Sequence, residues 1–101
     1  MLCLASLLTG CNPEAQDVTL AQLAQQQHAY DGRRVRTTGV LHTHPTPRHY
    51  WIADAQDHRV ELLTDEDLLW RVGSTLTVLG RFRYADNRGR SIDVETITER
   101  P

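Results

Sequence analysis

The sequence predicts one small, mainly β domain whose strands close on themselves as a barrel. Two strands in which apolar and polar residues alternate carry this prediction, Arg34 to His42 and Thr75 to Tyr84. Each has a glycine near its middle, Gly39 and Gly80, and a glycine inside a strand usually marks a bulge or a sharp bend. A strand that bends in this way can belong to two sheets, which is how a small barrel closes. The length of 101 residues suits one such domain and no more.

The other elements complete the order of a five-stranded barrel. Thr19 with Gln22 three residues later forms a capping box, which predicts a helix that ends near Ala29. Two prolines cannot sit in a central strand, so His42 to Arg48 is predicted to be a loop. The remaining predicted elements are a strand over 49–53, a strand over 58–63, a short helix over Asp65 to Val72 capped by Thr64, a hairpin loop over 85–90 and a strand over 91–97.

This order, with a short helix between the third and fourth strands, resembles the OB-fold, a Greek-key barrel of five strands. Two motifs make the chain similar to the small OB-fold domains of bacterial envelope proteins. They are Y-D-G-R-R-V-R-T-T-G, which begins at Tyr30, and G-S-T-L-T-V-L-G-R-F, which begins at Gly73. The resemblance implies an OB-fold domain over 18–101 and no particular activity, since the motifs mark the fold.

The first eleven residues resemble the end of a bacterial lipoprotein signal peptide. Leu8-Thr9-Gly10-Cys11 matches the lipobox, which implies cleavage before Cys11 and attachment of lipid to that residue. Neither Lys nor Arg precedes Cys11, although signal peptides normally begin with positive charges, so we expect the true start codon to lie upstream. The alternative is an apolar N-terminus that packs on the domain. Residues 12–17 are expected to be a flexible tether, and Asn12 favours the outer membrane over the inner membrane.

The composition argues against several classes of function. The net charge is −2, with 13 acidic and 11 basic residues, whereas general polyanion binders carry a strong basic excess. Both cysteines, Cys3 and Cys11, precede the domain, so a structural disulfide or a cysteine-bound zinc within it is excluded. No Ser-His-Asp order stands out, the sequence has no Gly-rich phosphate loop, and the carboxylates of Asp65 to Asp67 fit a helix dipole. We therefore expect a protein that is not an enzyme and has no cofactor.

A local concentration of basic and aromatic residues marks the candidate binding surface. OB-fold proteins bind ligands on their second and third strands and on the loops that join strands one to two and four to five. Arginines there could contact phosphates, and Trp51 could stack on a base of single-stranded nucleic acid. The alternative is a solvated loop beside exposed strand faces. The candidate ligand-binding residues are Arg48, His49, Trp51, Arg81, Arg83, Arg88 and Arg90.

His42 and His44 form a candidate metal site. Residues i and i+2 of a strand share a face, so both imidazoles could reach one Zn²⁺, Cu²⁺ or Ni²⁺, with His49 as a third ligand. A stable site needs three or four ligands, and two histidines beside prolines are more often a polar loop. Trp70, on the predicted short helix, is expected in the core or at its rim.

Together these patterns predict a lipid-anchored binding module on the periplasmic side of the cell envelope. Its expected partner is another envelope protein or a small ligand, in addition to the membrane that its lipid would enter. Two alternatives stay open. One is binding of single-stranded nucleic acid or another anion through the Arg-rich hairpin of strands four and five, against which the net charge weighs. The other is weak metal binding at His42 and His44.

Overall fold

A computed structural model describes residues 14–100 as a mainly β domain, which confirms the predicted class. The predicted signal peptide, its Cys11 and the start of the tether lie outside the described residues. The strands are β1 (Gln16–Asp17), β2 (Arg34–Pro45), β3 (Arg48–Ala53), β4 (Arg59–Leu63), β5 (Thr75–Ala85) and β6 (Gly89–Glu99), and the helices are α1 (Leu20–Gln25), α2 (Gln27–Tyr30) and a 3₁₀ turn over Leu69–Arg71.

The six strands form one mixed sheet in the order β1-β2-β3-β4-β6-β5. A further pairing between β2 and β5 closes the hydrogen bonding into a ring. The predicted count of five strands is therefore wrong, because the segment expected to be a flexible tether contributes the two-residue strand β1. β1 runs parallel to β2, with Gln16 beside Val35. None of the helices between residues 14 and 100 is long and apolar enough to span a bilayer.

Strand β2 is shared by two neighbours and changes partner at Gly39. Residues 34–40 pair with β5, and residues 40–45 pair with β3. A Cβ atom on Gly39 would lie 2.7 Å from Leu20 Cδ1 and 3.0 Å from the backbone N and O of Ala53. Glycine is needed here because α1 and the end of β3 pack directly against the backbone of β2.

Gly80 has the corresponding role in β5. The register of β5 against β6 shifts between Leu79 and Gly80, which is the irregularity of a β-bulge. A Cβ atom on Gly80 would overlap the carbonyl oxygen of Asp93 on the facing strand. The bulge therefore depends on a residue without a side chain.

The apolar core fills the inside of the ring, and α1 and Leu68 close over it. Leu23 of α1 is 1% exposed and Leu68 is fully buried. The capping box of α1 is confirmed: Thr19 Oγ1 accepts a hydrogen bond from Gln22 N (3.0 Å), and Gln22 Oε1 accepts one from Thr19 N (2.8 Å). The predicted single helix is instead two short ones, because Gln26 leaves the helical conformation (φ −127°, ψ 43°).

The predicted loop over His42 to Arg48 is wrong. β2 and β3 continue as a long hairpin in which Pro45 pairs with Arg48, and only Thr46 and Pro47 form the turn. Leu41 N donates to Ser74 O, on the side of β2 away from β3, and Pro45 lies on that side by alternation. The missing N–H of Pro45 therefore costs no hydrogen bond to β3, and the hairpin tolerates the proline.

The predicted helix over Asp65 to Val72 is reduced to the 3₁₀ turn. Side chains satisfy the local backbone N–H groups instead: Thr64 Oγ1 accepts from Glu66 N (3.2 Å), and Asp67 Oδ1 accepts from Leu69 N (3.1 Å). Such bonds compete with helix formation. Trp70 is 72% exposed, so it is not a core residue.

Candidate functional site

A row of aromatic rings crosses the outer face of β2 and β3. Two cross-strand pairs produce it, His42 with Trp51 and His44 with His49. The ring centroids of His42 and Trp51 lie 5.8 Å apart with the rings 13° from parallel. Those of His44 and His49 lie 5.7 Å apart, and His49 continues to Trp51 at 5.4 Å. The extended hairpin thus places His42, His44, His49 and Trp51 on one surface.

Trp51 is in contact with neighbours from both adjoining strands. The guanidinium carbon of Arg59, on β4, lies 4.8 Å from the centroid of the indole ring. Because β2 and β4 flank β3, His42 and Arg59 reach the indole from opposite sides. A base can therefore stack on Trp51 only where it replaces one of them. Arg59 is held in place by hydrogen bonds from its Nε and Nη2 to the Asp57 carboxylate (3.1–3.3 Å).

A groove of about 340 Å³ runs beside Trp51, and we call it the Trp51 groove. A neighbouring groove, also of about 340 Å³, begins on the other side of Glu61 and reaches Arg48 and Thr64. His49 and Glu61 line both grooves. The Trp51 groove is lined by His49, Trp51, Arg59, Glu61, Gly89 and Arg90.

The charged side chains of the Trp51 groove differ in whether they have hydrogen-bond partners. Arg90 donates from Nε to the carbonyl oxygen of Arg59 (3.2 Å) and from Nη1 to Gln27 Oε1 (2.9 Å). The side chain of the half-buried Glu61 makes no hydrogen bond or ion pair with any residue from 14 to 100. Sequence reasoning missed Arg59 and Glu61 as site residues. The sequence shows the alternation of apolar and polar residues in β4. It does not show the pairing of β3 with β4, which places Glu61 opposite Trp51.

The histidine nitrogens limit what a metal could use. Pro47 O can only accept a hydrogen bond, so His49 Nδ1, at 2.8 Å, carries a proton and Nε2 is the remaining ring nitrogen. His44 Nδ1 accepts from Thr46 N at 3.4 Å. In the described part of the chain, no three His, Cys, Asp or Glu side chains are grouped as metal ligands. The ring closest to His44 in this row is His49, whereas His42 stacks on Trp51.

The predicted arginine set does not form one surface. Arg81 donates from Nη1 to Gly32 O (2.6 Å), and Arg83 donates from Nε to Asp93 Oδ2 (2.8 Å). The hydrogen bond and the charge of Asp93 raise the pKa of Arg83. Arg88 lies in the β5–β6 turn, where its side chain makes no hydrogen bond or ion pair with the residues that the structure describes. Arg90 alone of the four lines the Trp51 groove.

Arg48 lies at the start of β3, near the carboxylate of Asp67. The backbone N–H of Leu69 and the hydroxyl of Tyr50 donate to Asp67 Oδ1. Both hydrogen bonds lower the pKa of Asp67, and the bond from Leu69 has the larger effect. The positive charge of Arg48 lowers it further. Arg48 thus belongs to the neighbouring groove, and it could still contact a ligand that extends past His49.

A larger cavity, of about 520 Å³, lies where residues 17–22 cross β2 and β5. Its charged groups are already paired. Arg36 Nη1 lies 2.8 Å from Asp17 Oδ1, and Asp54 Oδ2 lies 2.8 Å from Nδ1 of the half-buried His58. A ligand would have to break one of these pairs to use the charge. On chemical grounds the smaller Trp51 groove is the better candidate, because it offers unpaired polar groups.

The composition of the Trp51 groove is that of a ligand-binding surface. It combines an aromatic ring, two arginines and a carboxylate that lacks a partner, and such convergent polar groups beside apolar surface are typical of binding sites. A comparison of the sequence with protein-family models finds no match, and a search of the curated proteins finds no similar one.

Proposed function

We propose that this protein is a non-enzymatic binding module and that the Trp51 groove is its binding surface. The observation that carries the proposal is the carboxylate of the half-buried Glu61, which has no hydrogen-bond or ion-pair partner among residues 14–100 and lines the same groove as Trp51, Arg59 and Arg90. A ligand cation that pairs with this carboxylate would form a charge-assisted hydrogen bond at a half-buried position, where such bonds are stronger than on an open surface.

We further propose that the fold is an OB-fold. With β1 set aside, the ring runs β2-β3-β4-β6-β5, and this is the first-second-third-fifth-fourth strand order of a five-stranded Greek-key barrel. The Trp51 groove then lies on the second and third strands, where OB-fold proteins bind their ligands. An experimental structure in which these strands do not close around one core would contradict this assignment.

The lipoprotein assignment is a separate proposal and depends on the lipobox at Leu8 to Cys11. It places the domain in the cell envelope, on the periplasmic side, with the outer membrane favoured. Mass spectrometry of the N-terminus of the protein purified from its native membranes tests it. Lipid on Cys11 is the expected result, and an unmodified chain that begins at Met1 would refute it.

Nucleic acid is not favoured as the ligand. Arg81 and Arg83, in the hairpin proposed for phosphate contacts, do not line the Trp51 groove, and Arg83 is ion-paired with Asp93, so the phosphate contacts and the stacking surface are not brought together in one groove. Oligonucleotide affinity that falls steeply with salt would restore this alternative, since each phosphate contact releases counterions. The metal alternative, at His42 and His44 with His49 as a third ligand, stays a prediction. A zinc isotherm left unchanged by His44→Ala would end it.

Site-specific crosslinking tests the binding module itself. A photoreactive residue in place of His49, at the edge of the Trp51 groove, is expected to form a discrete adduct in native envelopes. The same residue in place of Gln25 is the control, because Gln25 is exposed on α1 and does not line the groove. Identical adducts from both positions, or none from His49, would contradict a binding surface at the Trp51 groove.

A further inference from the structure

The Trp51 groove contains a carboxylate and two guanidinium groups that are not ion-paired with one another; Arg59 is paired with Asp57, whereas Arg90 bonds only to neutral oxygen atoms. The carboxylate of Glu61 makes no hydrogen bond or ion pair with residues 14–100. Arg59 uses Nε and Nη2 for Asp57, and Arg90 uses Nε and Nη1 for a carbonyl and an amide oxygen. Each arginine therefore has one amino group, Nη1 of Arg59 and Nη2 of Arg90, that makes no hydrogen bond within the described chain.

The strand register fixes the order of these charges. Glu61 lies directly opposite Trp51 in the β3–β4 ladder. Arg59 precedes Glu61 by two residues on the same face of β4, which separates their backbone positions by about 7 Å. Arg90 joins the arginine end, because its Nε bonds to the Arg59 carbonyl. The groove thus has a negative end and a positive end, with the indole of Trp51 alongside.

From this arrangement we propose that the Trp51 groove binds a small zwitterion, and this inference rests on the proposed function of the groove. The ligand's ammonium group donates to Glu61, its phosphate or carboxylate accepts from Arg59 and Arg90, and the carbons between them lie against the edge of the Trp51 indole that lines the groove. An anion alone would leave Glu61 unpaired beside a second negative charge. A cation alone would face two arginines. Both halves are needed because each satisfies one end of the groove.

Two sources could supply this chemistry. One is the headgroup of an ethanolamine phospholipid, and the other is a free peptide with its terminal ammonium and carboxylate. The test uses glycerophosphoethanolamine for the first and glycylglycine for the second. Glycerol phosphate and ethanolamine are the matched probes that carry one charge each. Vesicles of phosphatidylethanolamine, compared with vesicles of phosphatidylcholine, decide whether the headgroup is reached in a membrane.

Binding is followed through the indole N–H signals in ¹⁵N–¹H correlation spectra of the protein. The domain has two tryptophans, so the Trp51 signal reports the groove and the exposed Trp70 signal is an internal control. We expect at least one zwitterion to shift the Trp51 signal and not that of Trp70. Its dissociation constant should be lower than that of either single-charge probe by about tenfold, the effect of one charge-assisted hydrogen bond.

Variants at each end of the groove separate the two contacts. Glu61→Gln should weaken the zwitterion to the level of glycerol phosphate, and Arg90→Gln to the level of ethanolamine. Glu66→Gln and Arg100→Gln remove the same charges from exposed positions that do not line the groove, and they should bind as the parent protein does. Unchanged circular dichroism of all four variants checks that they fold.

Two results would overturn the zwitterion proposal. One is a zwitterion that binds no more tightly than glycerol phosphate, because the ammonium then contributes nothing. The other is a Trp51 signal that no zwitterion moves. If crosslinking from position 49 nevertheless gives a discrete adduct, the groove is still a binding surface and only the ligand class is wrong. Failure of both experiments would refute the binding module as well.

Discussion

Gly39→Ala should destabilise the protein, because the bend of β2 leaves no space for a methyl group. The new Cβ would lie 2.7 Å from Leu20 Cδ1 and 3.0 Å from the backbone N and O of Ala53. The Leu20 methyl group can move only within a packed core, since Leu20 is 4% exposed. Ala53 can move less, because its backbone is part of the β2–β3 ladder.

The size of the effect follows from two opposing terms. Overpacking a buried site by a methyl group costs about 1–3 kcal/mol. Replacing glycine with alanine recovers about 0.4–1 kcal/mol by restricting the unfolded chain. We therefore expect a net loss of about 1–2 kcal/mol in the free energy of unfolding. For a domain of this size, that loss lowers Tm by about 4 °C or more.

Urea denaturation followed by circular dichroism measures the change, and a double-mutant cycle with Leu20→Ala assigns it. The cycle removes the overlap with the leucine and leaves the contact with the Ala53 backbone. We expect a substantial part of the cost of Gly39→Ala to persist in the Leu20→Ala background. A Gly39→Ala protein within about 0.5 kcal/mol of the parent, the range of an ordinary surface substitution, would refute the packing argument.

Three other predictions concern stability. Leu68→Ala should lower the free energy of unfolding by about 2–5 kcal/mol, because it leaves a cavity in the core. Trp70→Ala should lower it by less than about 0.5 kcal/mol, because Trp70 is exposed. Equal losses for the two variants in urea denaturation would contradict this difference in burial. Thr19→Ala removes the N-cap of α1 and should lower the unfolding free energy by about 1 kcal/mol in the same assay, and an unchanged midpoint would argue against the capping box. Desolvation raises the pKa of Asp54, but hydrogen bonds from the backbone and side chain of His58 outweigh it and leave that pKa lowered. This contribution to stability is present above the ordinary carboxylate range and is lost as the pH falls below about 4, so Asp54→Asn should show a smaller acid-induced drop in Tm than the parent.

Local sequence patterns predicted the elements that depend on neighbouring residues. The capping box at Thr19 needs only Gln22, three residues away, and it forms as expected. The glycines in β2 and β5 indicated where the backbone deviates, because a missing side chain is a local signal with a geometric cause. The identity of the partner that needs the space, Ala53 in one case and Asp93 in the other, is a long-range fact that no local pattern contains.

The elements that sequence reasoning missed depend on register or on competing hydrogen bonds. The proline rule failed at Pro45 because its nitrogen lies on the side of the strand that needs no donor. The helix expected after Thr64 failed because Asp67 bonds to the backbone two residues later and to Tyr50. The candidate site also depends on strand register, which the sequence does not show. Trp51 and Arg90 could be proposed from residue type, but the role of Glu61 depends on which residue it faces.

The hairpin of β2 and β3 extends past the ring, and this has a consequence for local opening. The backbone N–H groups of Val35, Thr37, Gly39 and Leu41 are directed towards β5 by strand alternation, so these amides should exchange with solvent only when the whole domain unfolds. Beyond Leu41, β2 is paired with β3 and no longer with β5. The tip of the hairpin should therefore open at a lower free energy than the rest of the strand. His44 and His49 lie on this arm, whereas Trp51 lies closer to the ring. The row of rings thus spans the boundary between a cooperative unit and a segment that frays, so a ligand seated along it would slow hydrogen exchange at the tip.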